Sequence, residues 1–383
     1  MNIAFLTSEY PHPKILKSAG IGTSIYNLAI ELVKSKHHVI IFVYAQDSDE
    51  EFKDNGINIV KIAFKKYSFL GWYLYRKHVQ KIVNKYILQY KIDVLEAPDW
   101  TGITAFMQLK CPVVIRLHGS DAYFCNLERR KQKLKNYLFE KIALKKADAL
   151  VSVSNFARIK TKEIFNLKSN IKIIPNGIDL KKFKNENSEL FESNTLLYFG
   201  TLIRKKGVLD LANIFNILIE LNRNTKLILI GNDSEDIKTK SKSTYDLIQY
   251  ILSDKAKSNV KYIGKIPYNS LITYIKNTQI CVFPSLAETF GMVTIEAMAM
   301  KKIVVASNFG WNNDIIDNGI NGFLRNPKNH FNFANTLNEL FLDNNLKNKL
   351  VCDAARKKVE QSFDISKIVN QNIKFYKSII GCK

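Results

Sequence analysis

Two carboxylates, Glu288 and Glu296, flank Gly291 in the stretch Pro284-Ser285-Leu286-Ala287-Glu288-Thr289-Phe290-Gly291-Met292-Val293-Thr294-Ile295-Glu296-Ala297-Met298-Ala299-Met300. On one continuous helix that interval would turn them roughly 80° apart, so the expected arrangement puts Glu288 before a helix and Glu296 in its second turn. The preceding apolar run, Ile280 to Phe283, reads as a short buried strand, and the Ala- and Met-rich segment after Gly291 reads as a buried helix. At such a junction the first N–H groups of the helix lack internal partners and its dipole end is positive, which suits an anion. Gly291 lets a ligand reach the backbone without meeting a Cβ. Glu296 then stands where the acidic residue of dinucleotide folds meets a ribose. The plainer alternative is an N-cap acid followed by an ordinary helix-face glutamate.

Other residues could serve the same chemistry. Gly200-Thr201-Leu202-Ile203-Arg204-Lys205-Lys206-Gly207 leaves one apolar run and enters a helical one. Three adjacent cations there repel unless they face an anion or water, and the solvated face is the ordinary case. Gly20 and Gly22, in Ser18 to Ser24, form a glycine loop between strand and helix, a weak phosphate-cradle signal because the Gly-x-Gly-x-x-Gly spacing is absent. His118 directly follows the apolar run Val113 to Leu117, where ligands sit in open parallel sheets, although a lone histidine is more often structural. Gly231-Asn232-Asp233 and Gly264-Lys265-Ile266-Pro267 likewise follow candidate strands.

These residues need elements to position them. Candidate strands at Ile3–Leu6, Val39–Val43, Ile57–Ile62, Val94–Leu95, Val113–Leu117, Ala149–Val153 and Ile171–Ile174 alternate with helical stretches such as Ser24–Lys34 and Gln132–Lys145. A second series follows at Leu196–Phe199, Lys226–Ile230, Val260–Ile263, Ile280–Phe283 and Ile303–Val305. That rhythm predicts two α/β modules with parallel sheets, and a chain of 383 residues has the length for two domains. The polar segment Lys181 to Asn194 reads as the boundary between them, and Pro175-Asn176-Gly177 as turn chemistry before it.

A hydrophobic content of 46 % with 24 % charged residues is a globular composition, and no apolar run is long enough to span a bilayer. The opening Met1 to Tyr10 reads as a first strand rather than a signal peptide. Cys111, Cys125, Cys281, Cys352 and Cys382 are scattered, which fits a reduced cytoplasmic chain with neither disulfide frame nor metal site; the six histidines also lack ligand spacing. The net charge of +22 implies an anionic partner, but arginine is scarce and no nucleic-acid motif is present, so nucleic acid is set aside. Lys65 to Lys77 mixes aromatics with cations, and Arg129 to Lys146 carries eight cations against the single acid Glu140. Such segments suit an anionic bilayer surface or, equally, a solvated helix face.

Pro-Ser-x-x-Glu-x-Phe-Gly-x-x-x-x-Glu-Ala-Met-Ala resembles the donor-binding signature of the family 4 glycosyltransferases, and His118-Gly119, Pro175-Asn176-Gly177 and Lys206-Gly207 resemble further landmarks of that family in order. The resemblance implies the GT-B fold: two Rossmann-like domains whose parallel sheets face an interdomain cleft, with residues 1–185 on the acceptor side, 186–365 holding a nucleotide-sugar donor, and a helix over 366–383 crossing back. It implies transfer from a nucleoside diphosphate sugar to a glycan or lipid-linked acceptor hydroxyl with retention of configuration. The cysteine pattern adds the expectation of a cytoplasmic enzyme and the two basic segments that of docking on the inner leaflet; with cations and N–H groups on the diphosphate, neither cofactor nor metal is expected.

By the same resemblance Lys206 grips the donor diphosphate. Arg204 is the candidate second cation, because Thr201 stands where many relatives have arginine. Gly20, Gly22 and the backbone at Gly291, Met292 and Val293 also face the diphosphate. His118 lies near the donor sugar, Glu288 meets sugar hydroxyls, Glu296 the ribose, and Ile266 the base through its backbone, with Phe290 among the donor contacts. A covalent sugar intermediate on Glu288 is the other role open to that residue. Two rival functions remain at this point, a nucleotide-sugar epimerase of the same fold and a non-catalytic binding protein for an anionic partner.

Overall fold

A computed structural model of the protein describes residues 1–343 and 345–381; Cys382 lies outside the described residues. The chain forms two compact units, one of residues 1–177 and 365–383, the other of residues 178–364.

The first unit is built on eight strands: β1 (Asn2–Thr7), β2 (His38–Gln46), β3 (Glu50–Asp54), β4 (Ile57–Ala63), β5 (Val94–Pro98), β6 (Val113–Leu117), β7 (Ala149–Ser152) and β8 (Ile171–Ile173). Their order across the sheet is β3-β4-β2-β1-β5-β6-β7-β8, and every neighbouring pair is parallel except β3 with β4. The central strands are buried on both faces, so they read as unbroken apolar runs such as Val39 to Val43, as a helix-covered parallel sheet requires. The β3–β4 hairpin at the edge has no counterpart in the sequence reading. Glu-Glu-Phe-Lys-Asp carries neither apolar alternation nor a strand-like composition, and it pairs because Asn55 and Gly56 turn the chain back with positive φ.

The last helix, Ile365–Ile380, packs in this first unit, burying Ile368, Val369 and Tyr376 against the apolar face of the helix Gly20–Lys34 and the sheet. A buried polar cluster pins it. Arg116 holds Glu96 through Nε at 2.7 Å and Nη2 at 2.9 Å, the Tyr376 hydroxyl donates to Glu96 at 2.7 Å, and Arg116 also donates to Asn372 at 2.5 Å.

The second unit has six strands, all parallel: β9 (Thr195–Phe199), β10 (Lys226–Ile230), β11 (Val260–Gly264), β12 (Ile280–Phe283), β13 (Ile303–Ser307) and β14 (Phe323–Arg325). Their order is β11-β10-β9-β12-β13-β14. Counted within the unit this is 3-2-1-4-5-6, the doubly wound dinucleotide-binding order, and it reverses between β9 and β12. In the first unit the parallel strands follow the same scheme and reverse between β1 and β5.

Candidate donor site

In a sheet of this order a crevice opens at the carboxyl ends of the two strands flanking the reversal. β9 and β12 are those strands in the second unit, and the cation run follows one while the Glu288 loop follows the other.

After β9, residues 204–206 make one 3₁₀ turn and Gly207 starts the helix Val208–Leu221. Gly207 has φ +71°, and a Cβ there would lie 1.9 Å from the Pro284 carbonyl oxygen, so both the backbone conformation and the close approach demand glycine. The N–H groups of Leu286 and Ala287 donate to the Lys205 carbonyl at 2.7 and 3.2 Å, which ties the two loops together. Across that seam Lys206 forms an ion pair with Glu288, both side chains mostly covered.

Arg204 is held differently. Its Nε and Nη2 each donate to Asp236 at 2.7 Å, and Asp236 also accepts from the Thr239 N–H at 2.9 Å and hydroxyl at 2.6 Å. The guanidinium keeps the Asp236 carboxyl well below the usual carboxylate range. Two of the three adjacent cations are therefore neutralised by acids of their own chain, an outcome between full solvation and waiting for a foreign anion.

After β12 the helix runs from Met292 to Ala299, so Glu288 precedes it and Glu296 occupies its second turn. The first intrahelical bond runs from the Ile295 N–H to the Gly291 carbonyl at 3.2 Å, which leaves the N–H groups of Met292 and Val293 outside the helical ladder. A Cβ on Gly291 would meet Thr294 Oγ1 at 2.8 Å and Asn312 Oδ1 at 3.3 Å. Asn312 donates to Ser307 through Nδ2, and its buried Oδ1 finds no donor among the described residues. Phe290 is buried against Phe363, with ring centroids 5.5 Å apart, and so acts in packing rather than at an open surface.

Glu296 is buried, and the Tyr268 hydroxyl donates to its Oε1. Burial pushes the Glu296 carboxyl up from 4.5 to about 7, opposed by the Tyr268 hydrogen bond and the charge of Lys182. The Lys182 ammonium lies 4.4 Å from the Tyr268 ring centroid, and Phe183 meets that ring edge-on at 5.5 Å. Tyr268 begins the helix that follows half-buried Ile266, so the loop after β11 and the Glu296 helix meet through this one hydroxyl.

Gly20, Gly22 and His118 belong to the first unit. Here the structure corrects the expected glycine loop: the helix begins at Gly20, and both glycines lie in its first turn. Gly22 is needed because a Cβ would sit 2.8 Å from the Glu9 carbonyl carbon, and its N–H donates to Glu9 Oε2 at 3.3 Å. His118 follows β6 and is buried. Burial and neighbouring Arg116 push its imidazole down to about 3, so it is neutral at ordinary pH. Asp99, at the end of β5, fixes the histidine's loop by accepting the N–H groups of His118 and Gly119 at 2.9 and 3.2 Å. Burial, together with the charge of Glu140, lifts Asp99 to about 8.

Tyr268, Lys182, Asp236 and Asp99 are members of these sites that the sequence does not single out. Tyr268 directly follows Pro267 of a loop it does single out; the others meet their partners only through the fold.

The family model described as Glycosyl transferases group 1 matches residues 180–357, and the one described as Glycosyltransferase Family 4 matches residues 18–182. An uncharacterized glycosyltransferase of Methanocaldococcus jannaschii is 25 % identical over 396 aligned positions, covering 98 % of this chain and 98 % of that protein. The capsular polysaccharide biosynthesis glycosyltransferase CapM of Staphylococcus aureus is 29 % identical over 59 % of this chain and 60 % of its own. Among solved structures, sucrose-phosphate synthase from Thermosynechococcus elongatus superposes with a TM-score of 0.82 at 18 % identity, covering all of both chains. Anabaena Alr3699/HepE in complex with UDP-glucose superposes with 0.74 at 18 % identity, covering 98 % of this chain and 99 % of that one. The chain belongs to the family 4, or group 1, glycosyltransferases, and its two parallel-sheet Rossmann-like units are those of the GT-B fold.

Proposed function

We propose that this glycosyltransferase moves a hexosyl-type unit from a nucleoside diphosphate sugar to an acceptor hydroxyl with retention of configuration, in the assembly of a cell-surface polysaccharide or lipid-linked glycan. The observation that carries the reading is the seam between the loops after β9 and β12, where Lys206, Glu288 and the N-terminus of the Glu296 helix converge. The UDP-glucose complex of HepE and the printed role of CapM support the donor class and the polysaccharide setting.

In this reading the bond from the anomeric carbon to the diphosphate oxygen breaks with its electron pair on the leaving group, and a new bond forms to the acceptor oxygen. Charge grows on the diphosphate, so fixed cations and N–H dipoles aimed there lower the barrier. Lys206 supplies the cation, exchanging Glu288 for phosphate as donor binds. The Met292 and Val293 N–H groups add the positive end of a helix dipole. Glu288, released, accepts from donor-sugar hydroxyls, and Glu296 accepts from the ribose. Arg204, committed to Asp236, acts as a positioning residue for its loop. His118, neutral in the first unit, can give or take a hydrogen bond but brings no charge.

With these groups on the diphosphate, no divalent ion is required. A panel of nucleoside diphosphate sugars, incubated with and without a glycan and lipid extract, tests the reading. The expected result is nucleoside diphosphate release that depends on acceptor and survives chelator. Turnover of donor without acceptor points to an epimerase, binding without any turnover to a non-catalytic protein, and rescue by magnesium or manganese removes the metal-independent mechanism.

A further inference from the structure

Within the first unit, the basic segments 64–77 and 129–146 touch where the first turns of their helices meet. Trp72, on the helix Gly71–Tyr90, packs on Phe139 of the helix Leu134–Lys146 with ring centroids 4.7 Å apart. The Arg76 guanidinium lies over the same Phe139 ring at 4.4 Å, and the Lys135 ammonium over Trp72 at 5.4 Å. These aromatics thus cover one another, while other large apolar residues of the two segments stay bare. Leu134 is 80 % exposed, Phe69 74 % and Leu138 52 %, and Leu134 and Leu138 share one side of their helix a turn apart. Large apolar side chains left in the open on two touching segments mark an interaction surface.

The charge around them is mainly positive. Glu140, the single acid of residues 129–146, is fully buried and accepts the N–H groups of Thr101, Asp121 and Ala122 at 3.1, 2.8 and 3.1 Å. It lends nothing to the outer face. Arg130 is paired with Asp121 and Glu128, but among the described residues Lys65, Lys66, Arg129, Lys131 and Lys133 are exposed and in no ion pair.

We propose that this face docks on an anionic lipid surface. The occupant must offer negative charge and an apolar layer together, and a bilayer interface with acidic headgroups does so. A second copy of the chain would set the same cations against themselves. Single-stranded nucleic acid stacks on open aromatic rings; Phe64 and Phe69 are open, but Trp72 and Phe139 are stacked on each other and the other bare residues, Leu70, Leu74, Leu134 and Leu138, are aliphatic. Among the described residues no helix is long and apolar enough to cross a membrane, so the attachment is to the surface. It goes beyond the donor chemistry and does not rest on it.

The test is co-sedimentation of the full chain with vesicles of phosphatidylcholine alone and with about 30 % phosphatidylglycerol. Binding is expected only to the anionic vesicles, weakening as salt rises. Leu134→Ser/Leu138→Ser and Lys131→Ala/Lys133→Ala should each weaken it about tenfold or more while circular dichroism and melting temperature stay put. The proposal is overturned by a wild-type protein that stays in the supernatant, by equal binding to both vesicles, or by variants that bind like wild type. Tighter binding to a single-stranded oligonucleotide than to vesicles, or a dimer that the leucine variant dissolves, assigns the face to those partners instead. Vesicle binding by a protein without transferase activity leaves this proposal standing and removes only the functional one.

Discussion

Glu296 sits where the fold opposes its charge, and that gives it a measurable signature. Its carboxyl is raised from 4.5 to about 7, so between those values the folded protein holds a proton that the unfolded chain has released. Stability of the ligand-free protein therefore falls as pH rises through that window, and Glu296→Gln should melt higher than wild type above it. Nucleotide affinity runs the other way, because only the ionised carboxylate accepts two ribose hydroxyls. Calorimetric titration with a nucleoside diphosphate should show affinity falling about tenfold from about pH 8 to about pH 6, a dependence that Glu296→Gln flattens. Tyr268→Phe, which removes the hydroxyl donated to Glu296, should move that profile to higher pH. Glu288 has a different assignment: Glu288→Ala should lower turnover by more than it weakens nucleotide binding, and Glu296→Ala the reverse, as steady-state kinetics beside calorimetry would show. The places of Glu288 and Glu296 were legible in the sequence because their spacing ties each to its own turn, and Lys206 stood out only through the resemblance of its Lys-Gly pair to a family landmark. Tyr268 and Asp236 were not, because each meets its partner across loops that only the sheet order brings together.

At the scale of elements, the short turn 204–207 depends on one residue without a side chain. Gly207→Ala must hold a positive φ and push the Pro284 carbonyl away from its new methyl group, at a cost of about 2 kcal/mol or more. Denaturant unfolding should show the loss, and nucleoside diphosphate binding should fall with it because Lys206 and Glu288 lie on the two loops being separated. Gly20 by contrast has open space where a Cβ would go, so Gly20→Ala should leave folding unchanged. The central parallel strands were plain in the sequence, since burial on both faces makes each an apolar run. What escaped were elements that such a pattern cannot mark: the polar edge hairpin at β3, the three-residue strand β14, and a helix start at Gly20, whose first turn packs Gly22 against the Glu9 and Tyr10 backbone.

At the scale of the whole molecule, each unit repeats one plan, a parallel sheet whose order reverses at its middle with the candidate residues in the loops nearby. The first unit draws its last helix from the far end of the chain, and the buried cluster of Glu96, Arg116, Asn372 and Tyr376 fastens it. Arg116→Met leaves Glu96 buried without its counter-charge and should destabilise by about 3–5 kcal/mol, which calorimetric unfolding would register. The account stands or falls on the second unit holding a nucleoside diphosphate through Lys206 and Glu296. Its most direct test is calorimetric titration of the wild-type protein, Lys206→Ala and Glu296→Ala with UDP and its counterparts at about pH 8. The account predicts saturable binding of at least one nucleoside diphosphate by wild type, weakened about tenfold or more in each folded variant. No binding by wild type, or equal binding by all three proteins, would contradict it.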